Sequence, residues 1–315
     1  MAGGILASDP PQHTVLRVIL SRMLMPRALR GLGPSVTAVA GELVDRLVVR
    51  GEFDAVSDLA EAFTPRFVAD LIGLPEEGRD RILEFGAATF DGLGPTGERT
   101  PAARKRQQAL MHYVSTTAAR DRLAAGGLGA RVWEAVDAGD IDEQAAVTLM
   151  TAFLSAGMDT TILSLAAAVR LFAQHPEQWD ALRADPSLVP AAYLEVLRVA
   201  APVTVFSRVT TREWECDGVT IPAGARVAVL YASANRDERK WADPERLDIT
   251  RRPADHLGFG VGVHACVGQN LAKLEAHSLL TALLARVHRF EIGEPEFIVN
   301  NTLHGLSRLP CRIVT

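Results

Sequence analysis

Apolar residues recur at intervals of three and four through the first two-thirds of the chain, which predicts helix after helix. Val15, Leu16, Ile19, Leu20, Met23 and Leu24 follow the start signal Asp9-Pro10-Pro11. Val36, Val39, Ala40, Leu43, Val44, Leu47 and Val48 share one face of the next element, which Gly51 stops. Thr64-Pro65 and Pro75-Glu76-Glu77 are expected to open two short helices, with Gly73 between them. A loop containing Gly92, Gly94, Pro95 and Gly97 leads to Thr100-Pro101, the start of a polar, Arg-rich helix. Residues 142–174 form the longest helical pattern, about 50 Å at 1.5 Å per residue. It is apolar almost all round from Ala145 to Ala173, so a membrane span has to be weighed. Asp159, Thr160 and Thr161 at its middle make a span costly. The pattern predicts a central helix buried in a large helical domain.

The texture changes after Pro202. Val203–Val209 is strand-like, and Trp214–Val219 with Asp217-Gly218 predicts a hairpin turn. Ile221-Pro222-Ala223-Gly224 turns the chain again into Val227–Tyr231. A loop rich in proline and charge, residues 235–256, precedes a helix from about Gln269 to Val287. Phe297–Leu303 and Leu309–Val314 read as a final pair of strands. The expected architecture is one domain over residues 1–315, mainly α with a small β portion. Residues 1–201 are mostly helical, and residues 202–315 carry the hairpins, a glycine-rich loop and the last helix.

Composition supports a globular chain. Its 315 residues are 48% hydrophobic and 23% charged, with a formal net charge of −5. A slightly acidic chain offers no overall basic field, so nucleic acid is not an expected partner. No charged stretch followed by an apolar run opens the sequence, and no secretion signal is expected. Cys216, Cys266 and Cys311 stand far apart and form no CxxC pair, which disfavours a zinc site or a disulfide framework and points to the cytoplasm.

Three local features carry chemistry. Phe259–Gly268 holds three glycines around His264 and Cys266 and leads into a helix. Glycines let a backbone approach a group closely, and a helix N-terminus favours an anion and lowers a thiol pKa. Such a thiolate binds a metal or attacks a substrate; its spacing matches no phosphate loop. Ala156-Gly157-Met158-Asp159-Thr160-Thr161 weakens a helix turn and sets an acid beside a hydroxyl, either as a proton relay or as a kinked helix contact. Glu195 and Arg198, at i,i+3, pair on one helix face, an arrangement usually no more than a solvated ion pair.

The ordered set of these features resembles a bacterial cytochrome P450 monooxygenase over essentially the whole chain. Phe259–Gly268 is similar to that family's haem-ligand loop, with Cys266 as the iron's thiolate ligand and Phe259 and Gly268 against the haem. Asp159 and Thr160 resemble the acid–alcohol pair that delivers protons to bound dioxygen. Glu195 and Arg198 match the buried structural pair, with Arg251 as third member. Asp9–Arg17 resembles the start of the family's C helix, which implies His13 and Arg17 at the propionates of haem b, joined by Arg208 and His264.

Closer similarity is to bacterial members that oxidise para-substituted benzoic acids, carried by Ser233–Trp241, Gly262–Gln269 and Asn300–Leu306. That resemblance implies a pocket lined by Phe90, Ser155, Ala156, Val203 and Phe206, with Ala156 also facing the haem. Leu93 and Ala152 depart from the aromatic and hydroxyl residues expected there. The implied activity is hydroxylation or O-demethylation of a small aromatic substrate with O2. The implied electron donor is an iron–sulfur ferredoxin with its reductase, docking near Arg22 and Lys273. The chain starts at about the C helix, so the expected fold is an N-terminally truncated cytochrome P450. Two rival readings are a catalytically impaired accessory protein of the same fold and a hydrolase with Cys266 as nucleophile.

Overall fold

The computed structural model describes residues 4–94 and 96–315. Its first half is the helical succession α1 (Gln12–Leu24), α2 (Pro26–Leu29), α3 (Gly33–Arg50), α4 (Glu61–Ile72), α5 (Ile82–Leu93), α6 (Thr100–Thr116) and α7 (Leu128–Asp137). Then come α8 (Glu143–Ala156), α9 (Asp159–Gln174), α10 (Pro176–Ala184) and α11 (Val189–Ala200). The strand β1 (Glu52–Asp54) lies between α3 and α4. The second half holds β2 (Val205–Val209), β3 (Trp214–Cys216), β4 (Val219–Ile221) and β5 (Arg226–Leu230), then α12 (Tyr231–Ala234) and α13 (Gln269–Leu284). The strands β6 (Arg289–Ile292), β7 (Glu296–Phe297), β8 (Leu306–Arg308) and β9 (Pro310–Val314) end the chain. The architecture is mainly α with small sheets, as the patterning predicts.

Each long helix buries the face its sequence marks out. α3 turns Val36, Ala40, Leu43, Val44 and Leu47 inward and ends at Gly51, whose φ of 77° bends the chain into β1. α8 and α9 run through the core, with Leu149, Met150, Leu154, Leu165, Ala166 and Val169 all buried. The stretch Glu143–Gln174 is apolar and long enough to span a bilayer, yet two-thirds of its most hydrophobic window is buried inside the protein. It is a core element packed by protein, not a lipid-facing one.

The structure corrects several expected boundaries. The long pattern over 142–174 is two helices, because Met158, just after the α8 cap Gly157, leaves helical geometry before α9 begins. Thr64-Pro65 opens no helix: Pro65 lies inside α4, which follows directly on a π-helical stretch over Ala55–Ala60. Pro75-Glu76-Glu77 opens none either, since Gly78 takes a left-handed conformation and α5 begins at Ile82. The last two strand-like stretches do not pair with each other. Phe297 pairs with Leu306 in the β7–β8 ladder, while β9 lies between β1 and β6 in a three-stranded antiparallel sheet. The hairpin at Asp217-Gly218 forms as expected, with φ of 49° and 76° at the two turn residues. β2 and β5 pair from Val205↔Leu230 to Val209↔Arg226.

Candidate active site

The loop before α13 is shaped by its glycines. Gly260 and Gly262 have φ of 67° and 75°, so the chain folds back until the Cys266 amide donates to the Phe259 carbonyl at 2.8 Å. The Gly268 and Gln269 amides at the start of α13 point at the Cys266 sulfur. Burial nonetheless pushes the thiol above its ordinary value, against the opposing pull of those amides, Arg17 and Lys273. The lowered thiol expected from the helix N-terminus is therefore not what the protein alone provides. A raised thiol is the opposite of an activated nucleophile, which counts against the hydrolase reading.

Basic side chains gather beside this loop. Arg17 on α1 donates to the Ala265 carbonyl at 2.5 Å, and the His13 and His264 rings lie 4.4 Å apart. Arg208 on β2 donates to the Tyr231 hydroxyl at 3.2 Å and contributes to the positive field at His264. Burial, and then the neighbouring Arg17, lowers the His13 pKa; burial, His13, Arg208 and Arg17 lower that of His264. The nearby carboxylate is Asp9, 3.9 Å from His264 and 85% exposed. His13 Nε2 is buried with no hydrogen-bond partner among the described residues. Four basic groups, one of them an orphaned buried ring nitrogen, make a site for a group bearing carboxylates. Together with the adjoining thiol they fit a haem.

The second locus is the break between α8 and α9. A Cβ on Gly157 would sit 2.6 Å from the Phe153 carbonyl oxygen, so any side chain here forces the backbone to shift. Thr160 Oγ1 reaches the Ala156 carbonyl only at 3.5 Å, the limit of a hydrogen bond, which leaves the hydroxyl free to bond elsewhere. Asp159 takes the first position of α9. Burial, and then the charge of Glu61 on α4, push its carboxyl up to about 7. A group poised there gives or takes a proton near neutral pH.

A small apolar cluster stands apart from the main core: Phe90, Leu163 and Leu303 are buried, and Leu93, Ala156, Val203, Phe206 and Ile298 pack against them. Phe90 and Phe206 lie nearly parallel, ring centroids 6.3 Å apart. The structure thus brings together Phe90, Ala156, Val203 and Phe206. Ser155 is buried one position before Ala156 but lies outside this apolar group. Leu163 and Leu303 were not anticipated, nor were the polar residues that tie the cluster together. Thr302 Oγ1 donates to the Phe90 carbonyl at 3.0 Å, Asn300 to Ala87 at 3.0 Å and Asn301 to Asp91 at 2.9 Å. The Thr302 carbonyl in turn accepts from the Thr204 amide at 2.9 Å. Residues 300–302 therefore fasten α5 to the segment carrying Val203 and Phe206. The sequence signal for them is the Asn300–Leu306 resemblance, which says nothing of α5.

Glu195 and Arg198 are fully buried, not solvated. Arg198 donates to both Glu195 oxygens at 2.8 and 2.9 Å and to the carbonyls of Asn235, Pro244 and Arg246, so every N–H of its fork faces an acceptor. Arg251 Nε meets Glu195 at 3.1 Å, completing the expected trio. Asn235 Oδ1 accepts from the Leu257 amide at 2.7 Å, which connects the trio to the start of the Cys266 loop. Of the two expected docking cations, Arg22 pairs loosely with Asp140 at 3.6 Å. Lys273 instead turns its ammonium over the Phe259 ring, 5.3 Å from the centroid, and bonds Gln269.

Comparison with known proteins shows the family. A family model described as Cytochrome P450 matches residues 186–310. The chain is similar to cytochrome p450 CYP199A2 of Rhodopseudomonas palustris, 42% identical over 98% of this chain and 76% of that protein. It is also similar to 6-deoxyerythronolide B hydroxylase of Saccharopolyspora erythraea, 31% identical over 97% of this chain and 77% of that one. Among solved structures, ligand-free CYP164A2 of Mycobacterium smegmatis superposes with a TM-score of 0.91 at 32% identity, covering 98% of this chain and 81% of that one.

Proposed function

The chain belongs to the cytochrome P450 family, a haem-thiolate monooxygenase family, and on that premise we propose that Cys266 is the thiolate that would hold the haem iron and that a small aromatic compound is its substrate. His13, Arg17, Arg208 and His264 would hold the haem propionates, and Phe259, Gly268 and Ala156 would flank the group. When bound, the haem would supply oxygen activation: O2, two electrons and two protons would put one oxygen atom into the substrate and release the other as water. The two electrons come from an iron–sulfur ferredoxin and its reductase.

What the protein's own residues contribute follows from their positions. The glycine loop holds Cys266 partly buried, where binding a cation would drive off the thiol proton that burial otherwise retains. The break between α8 and α9 leaves the Thr160 hydroxyl, only weakly bonded to the Ala156 carbonyl, free to hold a proton for delivery to the site. Asp159 resupplies it from a carboxyl that is part-protonated at neutral pH. Phe90, Ser155, Val203 and Phe206 orient an aromatic ring; the near-parallel Phe90 and Phe206 favour a flat guest. The stretches similar to members that oxidise para-substituted benzoic acids support the same substrate class.

The observation that carries this reading is the glycine-built Cys266 loop beside a cluster of basic groups with a buried, unpartnered His13 nitrogen. The reduced protein under carbon monoxide is expected to show the red-shifted Soret band of thiolate ligation, and Cys266→Ser to lose it. A haem-loaded wild-type protein whose spectrum shows nitrogen ligation overturns the assignment. Substituted benzoic acids are expected to displace the resting Soret band on titration; indifference to all of them rejects that substrate class.

A further inference from the structure

A glycine costs a helix interior about 1 kcal/mol relative to alanine, and such a residue is explained when something must approach the backbone closely. Gly86 is buried in the first half of α5, among Phe85, Ala88, Thr89 and Phe90. A Cβ at this position would lie 2.5 Å from Cγ and 2.6 Å from Oδ2 of Asp159, with Oδ1 nearer still. The whole carboxyl group therefore rests on bare α5 backbone. Asp159 has no ion pair and no side-chain hydrogen bond among the described residues, so no cation fixes it from another side. Its charged neighbour is Glu61 of α4, which repels its ionised form.

We propose that Gly86 is a positioning residue for the reaction: its missing side chain is the seat that holds the Asp159 carboxyl at the break between α8 and α9. The inference rests on the proposed role of Asp159 and adds a second element to it. Gly86 lies one helical turn before Phe90 on the same face of α5. One helix thus contributes both a pocket wall and the resting place of the proton donor. A methyl group at 86 must push the carboxyl off by about 1 Å to reach ordinary contact, a displacement of the size that costs a reaction on the order of 100-fold when it falls on a working group. Asp159 acts through protons alone, so the loss is expected as diverted oxygen, with more hydrogen peroxide released per reducing equivalent and less product, and with substrate affinity nearly unchanged.

The test compares Gly86→Ala, Asp159→Asn and the double variant in haem-loaded protein, following product, peroxide and the infrared carbonyl stretch of the protonated Asp159, the band that Asp159→Asn removes. Gly86→Ala is expected to shift that band and to raise the peroxide fraction several-fold, and to add nothing further in the Asp159→Asn background. Should Gly86→Ala fail to fold, Asp159→Glu presses one more methylene into the same seat and is expected to raise peroxide likewise despite keeping the acid. An unmoved band, or equal losses from Gly86→Ala in both backgrounds, overturns the seat. Unchanged coupling in Asp159→Asn itself defeats instead the proton-donor reading, while a shifted band in Gly86→Ala leaves the contact standing.

Discussion

Asp159→Asn separates what this carboxyl does for turnover from what it costs the fold. In the unfolded chain the group ionises near 3.8, whereas in the fold it holds its proton up to about 7. Between those values the folded state binds a proton the unfolded state has lost, so stability falls as pH rises, by about 1.36 kcal/mol per pH unit. The full contribution is present below 3.8 and is gone once pH passes about 7, a loss of about 4 kcal/mol. Asparagine carries no such proton. Its own burial cost is the same at every pH and cancels when two pH values are compared. Moving from about pH 5 to about pH 8, the parent chain loses about 2.7 kcal/mol that the variant does not. With about 2.1 cal/mol/K of unfolding entropy per residue, 315 residues convert this into about 4 °C. Thermal melts at both pH values are expected to show Asp159→Asn gaining about that much on the parent at the higher pH, although its product yield per reducing equivalent drops by about tenfold or more. Glu61, also raised by burial, titrates in both proteins and leaves the difference largely unchanged. A melting difference that is the same at both pH values refutes the claim that Asp159 is held protonated by burial.

Gly157→Ala replaces a poor helix former by the best one, yet it is expected to destabilise by about 1–3 kcal/mol in a urea melt, because the new methyl meets the Phe153 carbonyl at 2.6 Å. A gain in stability instead means the break relaxes at no cost. Arg198→Lys keeps the charge but leaves Glu195 and several carbonyls underbonded. It is expected to cost about 3–5 kcal/mol and to lower the fraction of protein giving the thiolate-type carbon monoxide spectrum. Thr302→Val deletes one buried hydrogen bond to the Phe90 carbonyl, worth about 1 kcal/mol. Its expected effect is a raised KM for the aromatic substrate with kcat little changed.

Residues that owe their role to local backbone chemistry are readable along the chain. Cys266 is marked by its glycines and the helix after it, the hairpin by Asp217-Gly218, and the weak point of the central helix by Gly157-Met158-Asp159. The helical half is readable too, since a buried face repeats every three to four residues in α1 and α3. The strands β1 and β6 are not, because each is short and owes its conformation to β9, hundreds or tens of residues away. Pro65 misleads for a related reason: a proline signals a helix start, but here α4 has already begun just upstream, at Glu61.

The charges show the same division most sharply. On sequence spacing alone Glu195 and Arg198 are an ordinary surface pair; their burial and the carbonyls of Asn235, Pro244 and Arg246 come from a loop some forty residues downstream. A lowered thiol is the natural expectation for Cys266 at a helix N-terminus, and burial reverses it. For Asp159, spacing shows an acid beside a hydroxyl but cannot show that its carboxyl meets no cation among the described residues and rests on a glycine from α5. In each case the sign or size of the electrostatic effect is decided by which distant backbone the side chain meets, since desolvation and unpaired charge outweigh the local dipole. A helix glycine with no local reason to exist, such as Gly86, is then informative in itself: it marks where the fold needs contact with something the linear sequence places far away.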